Sequence, residues 1–458
     1  MNRALFTATL SATLALAPTT VFAATPARPP APTLAPATAL SPAPSPALTQ
    51  APSDDTLRLS ELQRAALARD PRSAQARVLT EQSKLRLENL RAERFPSFGV
   101  NGQAQHQSDV TSVPFPGAVT PFKDTYDANV AARVRLYDPS RGPRESAERA
   151  QLAESGARVD AALYAQRQVV NDAFFTALML DEQQRVLAAG IADLEVQLRL
   201  ARERVAAGAS LPGESAMLEA ESLRRGQSLD ELESGRRVAL AVLGDLTGRT
   251  MSGSEPLALP ESEAAVAAAR AAVDSLRVRP EYEQFAKSRE LLDSRRAAVA
   301  AQEQPRVSAF GRTGYGRPGL NQLARDFDSY WLAGVQVEWA PFDWGTVRRE
   351  REALALQQQV IVSEERAFAD RLRRGTLADL AAVDRLVRAL DADAAIVALR
   401  ERVLQETRLR YQEGVVTVGE FVDRETDLNT ARLLRAAHRV ELAQARARFL
   451  TTVGLEVR

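Results

Sequence analysis

Four short segments of the chain alternate between apolar and polar residues, and this alternation predicts β-strands. The strands are expected at about 98–107, 126–137, 306–316 and 330–340. In the second segment every other side chain from Ala128 to Leu136 is apolar, opposite Asp127 and Arg133. The third is weaker, because Phe310 falls on the otherwise polar face. Each segment is near the roughly 9–11 residues of a tilted membrane strand, although a water-soluble amphipathic sheet would alternate in the same way.

Longer segments carry the composition and spacing of α-helices. They are expected at 139–207, 214–247, 345–413 and 420–453. The first and third would each form about 100 Å of helix at about 1.5 Å per residue. Each of these two ends at a glycine, Gly208 or Gly414, and the chain then turns back into the next helix. Apolar residues recur at spacings of three, four and seven, which predicts a seam buried against neighbouring helices.

The same plan occurs twice along the chain, about 205 residues apart, and such a duplication indicates the architecture more strongly than any local motif. The repeats are assigned to 54–260 and 261–458. The residues that recur at a constant offset of 206 are Arg204, Gly208, Gly213, Glu214 and Glu219, which become Arg410, Gly414, Gly419, Glu420 and Glu425. Each copy therefore predicts a strand pair followed by a long helical hairpin.

The first 53 residues are expected to lie outside the repeats. Residues 1–23 have the features of a secretory signal peptide, because Arg3 is followed by an apolar run and by the small-residue cleavage site VFA. Residues 24–53 are rich in proline and alanine, which predicts an extended and poorly ordered tether.

Composition excludes several kinds of chemistry. The 59 basic and 59 acidic residues give a formal net charge of zero, so nothing favours nucleic acid as a partner. The chain has no cysteine, which excludes disulfides and thiolate chemistry. The two histidines, His106 and His438, have no neighbouring ligand pattern, and no phosphate loop or nucleophile elbow occurs. We therefore expect neither an enzyme nor a metal or cofactor site.

Four strands cannot form a closed barrel, and open sheet edges are not tolerated in lipid. The smallest single-chain barrels have about eight strands. Three chains with four strands each would supply twelve, enough to surround a water-filled lumen. Trp331 and Trp339, at the two ends of one strand face, are expected at the two boundaries of the membrane. The polar loops at 107–125 and 317–329 would then form exposed hairpin tips.

The chain resembles the TolC family of outer-membrane efflux proteins over nearly all of 57–454. The order, spacing and duplication of several segments carry this resemblance together. The segments are LRLSE at 57–61, AALARDP at 65–71, AERFPSF at 92–98, RYQEG at 410–414, VGEFVD at 418–423 and LNTAR at 428–432.

The resemblance implies a mainly α-helical homotrimer that shares a twelve-strand barrel in the outer membrane and a helical tunnel in the periplasm. Such a protein would be the passive exit duct of a tripartite efflux or type I secretion system. It would contact outer-membrane lipid, bind a periplasmic adaptor protein and, through the adaptor, reach an inner-membrane pump.

The resemblance also assigns residues at the helix tips. Glu420 and Asp423 match the acidic ring that constricts the periplasmic entrance, although both are also ordinary carboxylates for the start of a helix. Glu214, the residue of the first copy that corresponds to Glu420, is a candidate for an ion pair with an arginine that the sequence does not identify. The residues expected to contact the adaptor are Gly208, Ala209, Gly414 and Val415.

A periplasmic adaptor or a structural coiled-coil protein is the alternative interpretation. An adaptor has one helical hairpin between two halves of β domains, whereas this sequence predicts two strand-pair and hairpin units. Recovery of the protein in the soluble periplasm would favour the alternative.

Overall fold

The structure is a computed structural model that describes residues 56–111, 120–273, 277–321 and 324–457. The predicted signal peptide at 1–23 and the predicted tether at 24–53 lie outside the described residues, as do parts of both predicted hairpin tips.

The four strands form one antiparallel sheet in sequence order. They are β1 (Ser97–His106), β2 (Asp124–Tyr137), β3 (Arg306–Arg317) and β4 (Asp328–Glu338). The expected segments begin and end within two residues of these strands. Among the described residues, the outer edges of β1 and β4 pair with no further strand. Two rows of backbone donors and acceptors are thus left open in a single chain.

Helices make up most of the described chain. They are α1 (Leu59–Arg69), α2 (Gln75–Ala92), α3 (Arg141–Ala206), α4 (Pro212–Thr247), α5 (Glu263–Ala272), α6 (Pro280–Ala300), α7 (Thr346–Gln412) and α8 (Val418–Val453). The two longest, α3 and α7, have 66 and 67 residues. Within the described ranges, no helix combines the length and the apolar composition needed to cross a membrane.

The sheet has two unlike faces. On the apolar face, Val100, Trp331 and Val335 expose 83%, 75% and 64% of their surface. On the polar face, the Tyr330 hydroxyl donates to Asp127, and the Asn129 amide donates to the same carboxylate at 2.5 Å. One face of the sheet therefore carries hydrogen-bonded polar groups, and the other carries exposed apolar side chains.

One detail of the sequence prediction changes in the structure, and one is confirmed. Trp339 lies one residue beyond β4, since the strand ends at Glu338, and its indole nitrogen donates to the Glu303 carbonyl at 3.0 Å. Phe310 does lie on the polar face, directly opposite Gly334, where the missing side chain leaves room for its ring. The aromatic ring is therefore accommodated by a glycine on the neighbouring strand.

The main core is formed by α1, α3, α4 and α8, and α5 packs against it on α8. Phe174 and Phe175 are buried there with an edge-to-face contact of 5.4 Å between ring centres. A buried polar chain runs beside them: the Gln63 amide donates to Asn171 at 2.5 Å, and the Asn171 amide donates to Thr451 at 3.0 Å. This series of hydrogen bonds fixes the register of the three helices, because each of these buried groups would lose its partner if one helix slid along another.

Gly314 is a strict requirement of the sheet, which gives a first prediction. A Cβ atom at this position would lie 2.8 Å from the Ala128 carbonyl oxygen and 2.8 Å from the Tyr330 ring. We expect Gly314→Val to prevent pairing of β2, β3 and β4, because the clash involves backbone that cannot move aside. The measurement is the folded fraction of detergent-extracted protein, followed by circular dichroism and protease resistance. Gly102→Val is the matched control, since nothing lies within 4 Å of that position; equal folding of both variants would contradict the prediction.

Candidate functional site

The two helical hairpins end in turns with the same backbone geometry. In the first, the amide of Gly208 donates to Val205 and that of Ala209 donates to Arg204, at 3.0 and 2.9 Å. In the second, Gly414 donates to Tyr411 at 3.1 Å, and Val415 closes the turn in the same way. Both glycines have positive φ, 75° and 73°. This is the Schellman arrangement, in which a left-handed residue ends the helix and satisfies its last carbonyls.

The turns present small and apolar groups to solvent. All four residues assigned to the adaptor-contact tips, Gly208, Ala209, Gly414 and Val415, are exposed. Sequence reasoning did not select Leu211, which is 74% exposed beside them. The signal for it was an apolar residue between Ser210 and Pro212, where a turn usually carries polar side chains.

Glu420 and Asp423 lie in the first turn and a half of α8. Thr417 caps this helix, since its hydroxyl accepts from the Glu420 amide at 3.3 Å. Both carboxylates are exposed, and no arginine or lysine of the described residues forms an ion pair with either. Residues three apart lie on one face of a helix. On the same stripe, Asp427 differs, because Arg400 of α7 binds it at 2.5 Å.

Glu214 is held by hydroxyl groups in the single chain. Its carboxylate accepts from Ser210 at 2.7 Å and from the Tyr411 hydroxyl at 3.2 Å. Within the described residues no arginine forms an ion pair with it, so the predicted pair with an arginine stays a prediction. The contact with Tyr411 joins the first hairpin to the second.

Tyr411 is the aromatic centre of the tip. Its ring stacks on Phe421 with 5.3 Å between ring centres, and the Arg204 guanidinium lies 5.6 Å from the ring centre. Burial raises the pKa of the Tyr411 hydroxyl, and the nearby charge of Glu214 raises it further. The hydroxyl therefore remains protonated and donates to Glu214. Only the second repeat carries this aromatic pair, because Val205 and Ser215 occupy the corresponding positions of the first.

A buried ion pair joins the two hairpins farther from the tip. Arg225 of α4 and Glu425 of α8 are 2% and 6% exposed. Arg225 donates through Nη1 to Glu425 at 2.8 Å and through Nη2 to its other oxygen, while Nε binds Glu221 at 2.7 Å. Burial opposes the charge of the guanidinium, but the hydrogen bonds and charges of Glu425 and Glu221 outweigh it and raise the pKa of Arg225.

Gly190 of α3 makes room for this pair. A Cβ atom there would lie 3.0 Å from the Asn429 side-chain oxygen and 3.3 Å from Arg225 Nη1. The absence of a side chain lets α3 approach both polar groups closely. Sequence reasoning missed Arg225, because nothing in the local sequence distinguishes a buried arginine from the many exposed ones on these helices. The available signal was Gly190, a glycine in the middle of a long helix.

The two histidines pair with carboxylates rather than with each other. His438 Nδ1 lies 2.6 Å from Asp393 Oδ2 between α8 and α7, and His106 Nδ1 lies 2.7 Å from Asp124 Oδ1 between β1 and β2. In the described part of the chain, no group of three or more His, Asp or Glu side chains is arranged to hold a metal ion.

No protein-family model matches the chain, and no curated protein matches it. Solved structures do share its fold. The CusC channel superposes with a TM-score of 0.66 at 15% identity, covering 87% of this chain and 92% of CusC. VceC, an outer-membrane protein of Vibrio cholerae, gives a TM-score of 0.64 at 16% identity, covering 87% of this chain and 97% of VceC.

The MtrE outer-membrane channel of Neisseria gonorrhoeae, solved in its open state, matches with a TM-score of 0.61 at 19% identity, covering 87% of this chain and 89% of MtrE. The protein thus has the fold of TolC-type outer-membrane channels. The resemblance that the sequence carries is confirmed at the level of the fold.

The buried ion pair gives a second prediction. Glu425→Ala leaves the Arg225 charge buried with only part of its compensation, and we expect a loss of about 3–5 kcal/mol in the free energy of unfolding. Replacement of both partners by methionine should recover most of this loss, because no uncompensated charge remains. The measurement is denaturant unfolding of the purified protein, followed by circular dichroism.

The control for this comparison is Glu219→Ala. Glu219 pairs with Arg202 at 3.0 Å, and both side chains are about half exposed. An exposed pair contributes about 0–1 kcal/mol. A loss for Glu425→Ala no greater than for Glu219→Ala would contradict the assigned role of the buried pair.

Proposed function

We propose that the protein is a trimeric outer-membrane channel that serves as the passive exit duct of an efflux or secretion assembly. One observation carries the proposal: a sheet of four strands, apolar on one face and open at both edges, is joined to two long helical hairpins in the fold of known outer-membrane channels. The apolar face meets lipid, and the polar face lines a water-filled lumen.

Three chains complete the barrel in this proposal. The open edge of β4 in one chain pairs with the open edge of β1 in the next, which satisfies both rows of backbone groups and gives twelve strands. The helical hairpins of the three chains continue the lumen as a tunnel through the periplasm. The resulting protein lies in the outer membrane, with its hairpin tips directed towards the inner membrane.

The acidic residues at the tips provide the gate. Glu420 and Asp423 are exposed and have no cationic partner among the described residues, so they are free to face the threefold axis. Three chains bring six carboxylates together at the entrance. Such a ring attracts cations and repels anions.

The hairpin turns are the docking points for a periplasmic adaptor, which connects the duct to an inner-membrane pump. Exposed Val415 and Leu211 supply apolar contacts, and the glycines allow close approach of another helix tip. Opening is an outward movement of α7 and α8 against α3 and α4. The contacts of Tyr411 with Glu214 and of Arg225 with Glu425 hold the closed state, because each joins the moving hairpin to the fixed one.

Single-channel conductance in a planar bilayer tests the proposal. The purified wild-type protein should give a small, cation-selective conductance, and Glu420→Gln/Asp423→Asn should lose the selectivity. The matched control is Asp230→Asn/Glu233→Gln, which removes two exposed carboxylates at the same spacing but several turns from the tip on α4. A pore with the same ion selectivity in wild type and in the Glu420/Asp423 variant would exclude these residues as the gate. Folded trimers without conductance would exclude the channel function.

A fourth prediction concerns the closed state. Tyr411→Phe removes the hydroxyl that binds Glu214 and leaves the stacked ring in place, so we expect a larger mean conductance and longer open times. The control is Tyr164→Phe, which loses a comparable hydrogen bond to Thr451, 2.8 Å long, in the core rather than at the tip. Identical gating in Tyr411→Phe and wild type would show that this contact does not restrain the hairpins.

A further inference from the structure

The segment between β4 and α7, residues 339–345, carries the most exposed large apolar side chains of the described chain. Phe342 and Trp344 each expose 86% of their surface, and Trp339 just before them exposes 60%. Two aromatic rings bare to this extent contribute nothing to the packing of the chain that carries them. They indicate contact with something outside the chain.

The turn that carries these rings is firmly held. Asp343 accepts from the amides of Gly345 and Val347 at 2.8 and 2.7 Å, and the Thr346 hydroxyl donates to the Asp343 carbonyl at 2.6 Å. Trp344 has a φ of 56°, a conformation that bulky residues rarely adopt. These hydrogen bonds hold the turn in a conformation in which both aromatic side chains are exposed.

Two guanidinium groups lie near Gly345, the residue that follows Trp344 in the chain. A Cβ atom at Gly345 would lie 3.5 Å from Arg349 Nη1 and 3.9 Å from Arg348 Nη2, so both groups lie close to one point. Arg349 donates to the Trp344 carbonyl at 2.9 Å. Among the described residues no carboxylate forms an ion pair with either arginine. Backbone hydrogen bonds within the turn and the charge of Arg349 lower the pKa of the nearby Asp343 carboxyl, so this carboxylate offsets part of the positive charge without forming an ion pair. Two cations held close together with no ion-pair partner still favour the binding of an anion.

The first repeat uses its arginine differently at the corresponding position. Tyr137 and Asp138 correspond there to Phe342 and Asp343, and Arg144 follows on α3. Arg144 binds Glu93 at 2.8 Å and Asp138 at 3.0 Å, so its charge is compensated within the chain. The arginine pair of the second repeat, which has no ion-pair partner among the described residues, is consequently not a general requirement of the junction between sheet and helix.

We propose that Phe342, Trp344, Arg348 and Arg349, here called the junction patch, bind the headgroup of an anionic phospholipid in the inner leaflet of the outer membrane. This inference rests on the proposed membrane location. The junction patch follows directly on the apolar face of the sheet, whose last exposed valine, Val337, precedes the end of β4 by one residue. The membrane boundary on this side therefore falls at the patch.

The chemistry of the junction patch matches that position. Tryptophan and other amphipathic aromatic side chains concentrate at the boundary between acyl chains and headgroups. Guanidinium groups bind phosphate oxygens through several hydrogen bonds at once. Rings inserted among the acyl chains and guanidinium groups on the phosphate would hold the channel at one height in the bilayer.

Lipid retention by the full-length trimer tests the inference. The wild-type protein is reconstituted in vesicles of phosphatidylethanolamine with phosphatidylglycerol, extracted gently, and its retained lipids are counted by native mass spectrometry. We expect enrichment of phosphatidylglycerol, reduced roughly 25-fold in Arg348→Gln/Arg349→Gln, because each of the two basic side chains beside an anionic surface contributes roughly fivefold. The matched control is Arg371→Gln/Arg374→Gln, which removes two exposed arginines from the middle of the same helix. Phe342→Ser/Trp344→Ser should lower the retention of both lipids.

Conductance recorded from the same preparations separates the two proposals. A conducting double-arginine variant that retains phosphatidylglycerol like wild type overturns the inference and leaves the channel intact. Equal losses of retained phosphatidylglycerol in the double-arginine patch variant and in the control variant also overturn the inference, since they would reflect the total charge of the protein. Inorganic phosphate that displaces the lipid completely at low millimolar concentration would show a free-anion site instead. A wild-type protein that neither inserts nor conducts overturns the proposed function and this inference with it.

Discussion

Unsatisfied backbone groups at the edges of the sheet are the constraint on which the rest of the structure depends. A strand edge in water can be solvated, but an edge in lipid has no partner except another strand. In the proposed trimer, pairing of β1 and β4 between chains closes a ring and gives both faces of the sheet their environment. The long helices follow from the same proposed closure, because each chain would then contribute a segment to the wall of a common lumen and bury its apolar stripe against its neighbours.

The helical region reconciles two opposing needs. In the proposed channel, the interfaces between hairpins have to be stable enough to keep the tunnel closed and still separate without unfolding. An apolar seam alone would favour permanent closure. Here the seam also contains directional polar contacts, the Tyr411 hydroxyl on Glu214 and the buried Arg225 with its two carboxylates. In the proposed channel, separation of the hairpins would have to break these contacts, while the hydrogen bonds within each helix remain intact.

Sequence reasoning reached the elements of the fold because strand and helix periodicities are local properties. The predicted ends of the strands lie within two residues of the observed ends, and the glycines Gly208 and Gly414 correctly predicted the turns of the helical hairpins. Contacts between distant segments were out of reach. Nothing local distinguishes the buried Arg225 from its exposed neighbour Arg224, since burial is decided by Gly190 and Glu425, both far away in the chain. Trp339 was assigned to a strand because the alternation continues through it, although the backbone leaves the sheet one residue earlier.

The position of the main core has a mechanical consequence for the hairpin tips. Leu380 of α7 packs against this core, and the helix continues 32 residues farther to Gln412. From the core to the tip α7 is about 48 Å long, so a tilt of about 5° at the core displaces the tip by about 4 Å. Along this length Val383 and Leu386 pack against α8, and Val397 and Leu404 belong to a second apolar cluster with α3 and α4. In the proposed channel a small rearrangement of the core is therefore amplified at the tip only as far as those packing contacts yield.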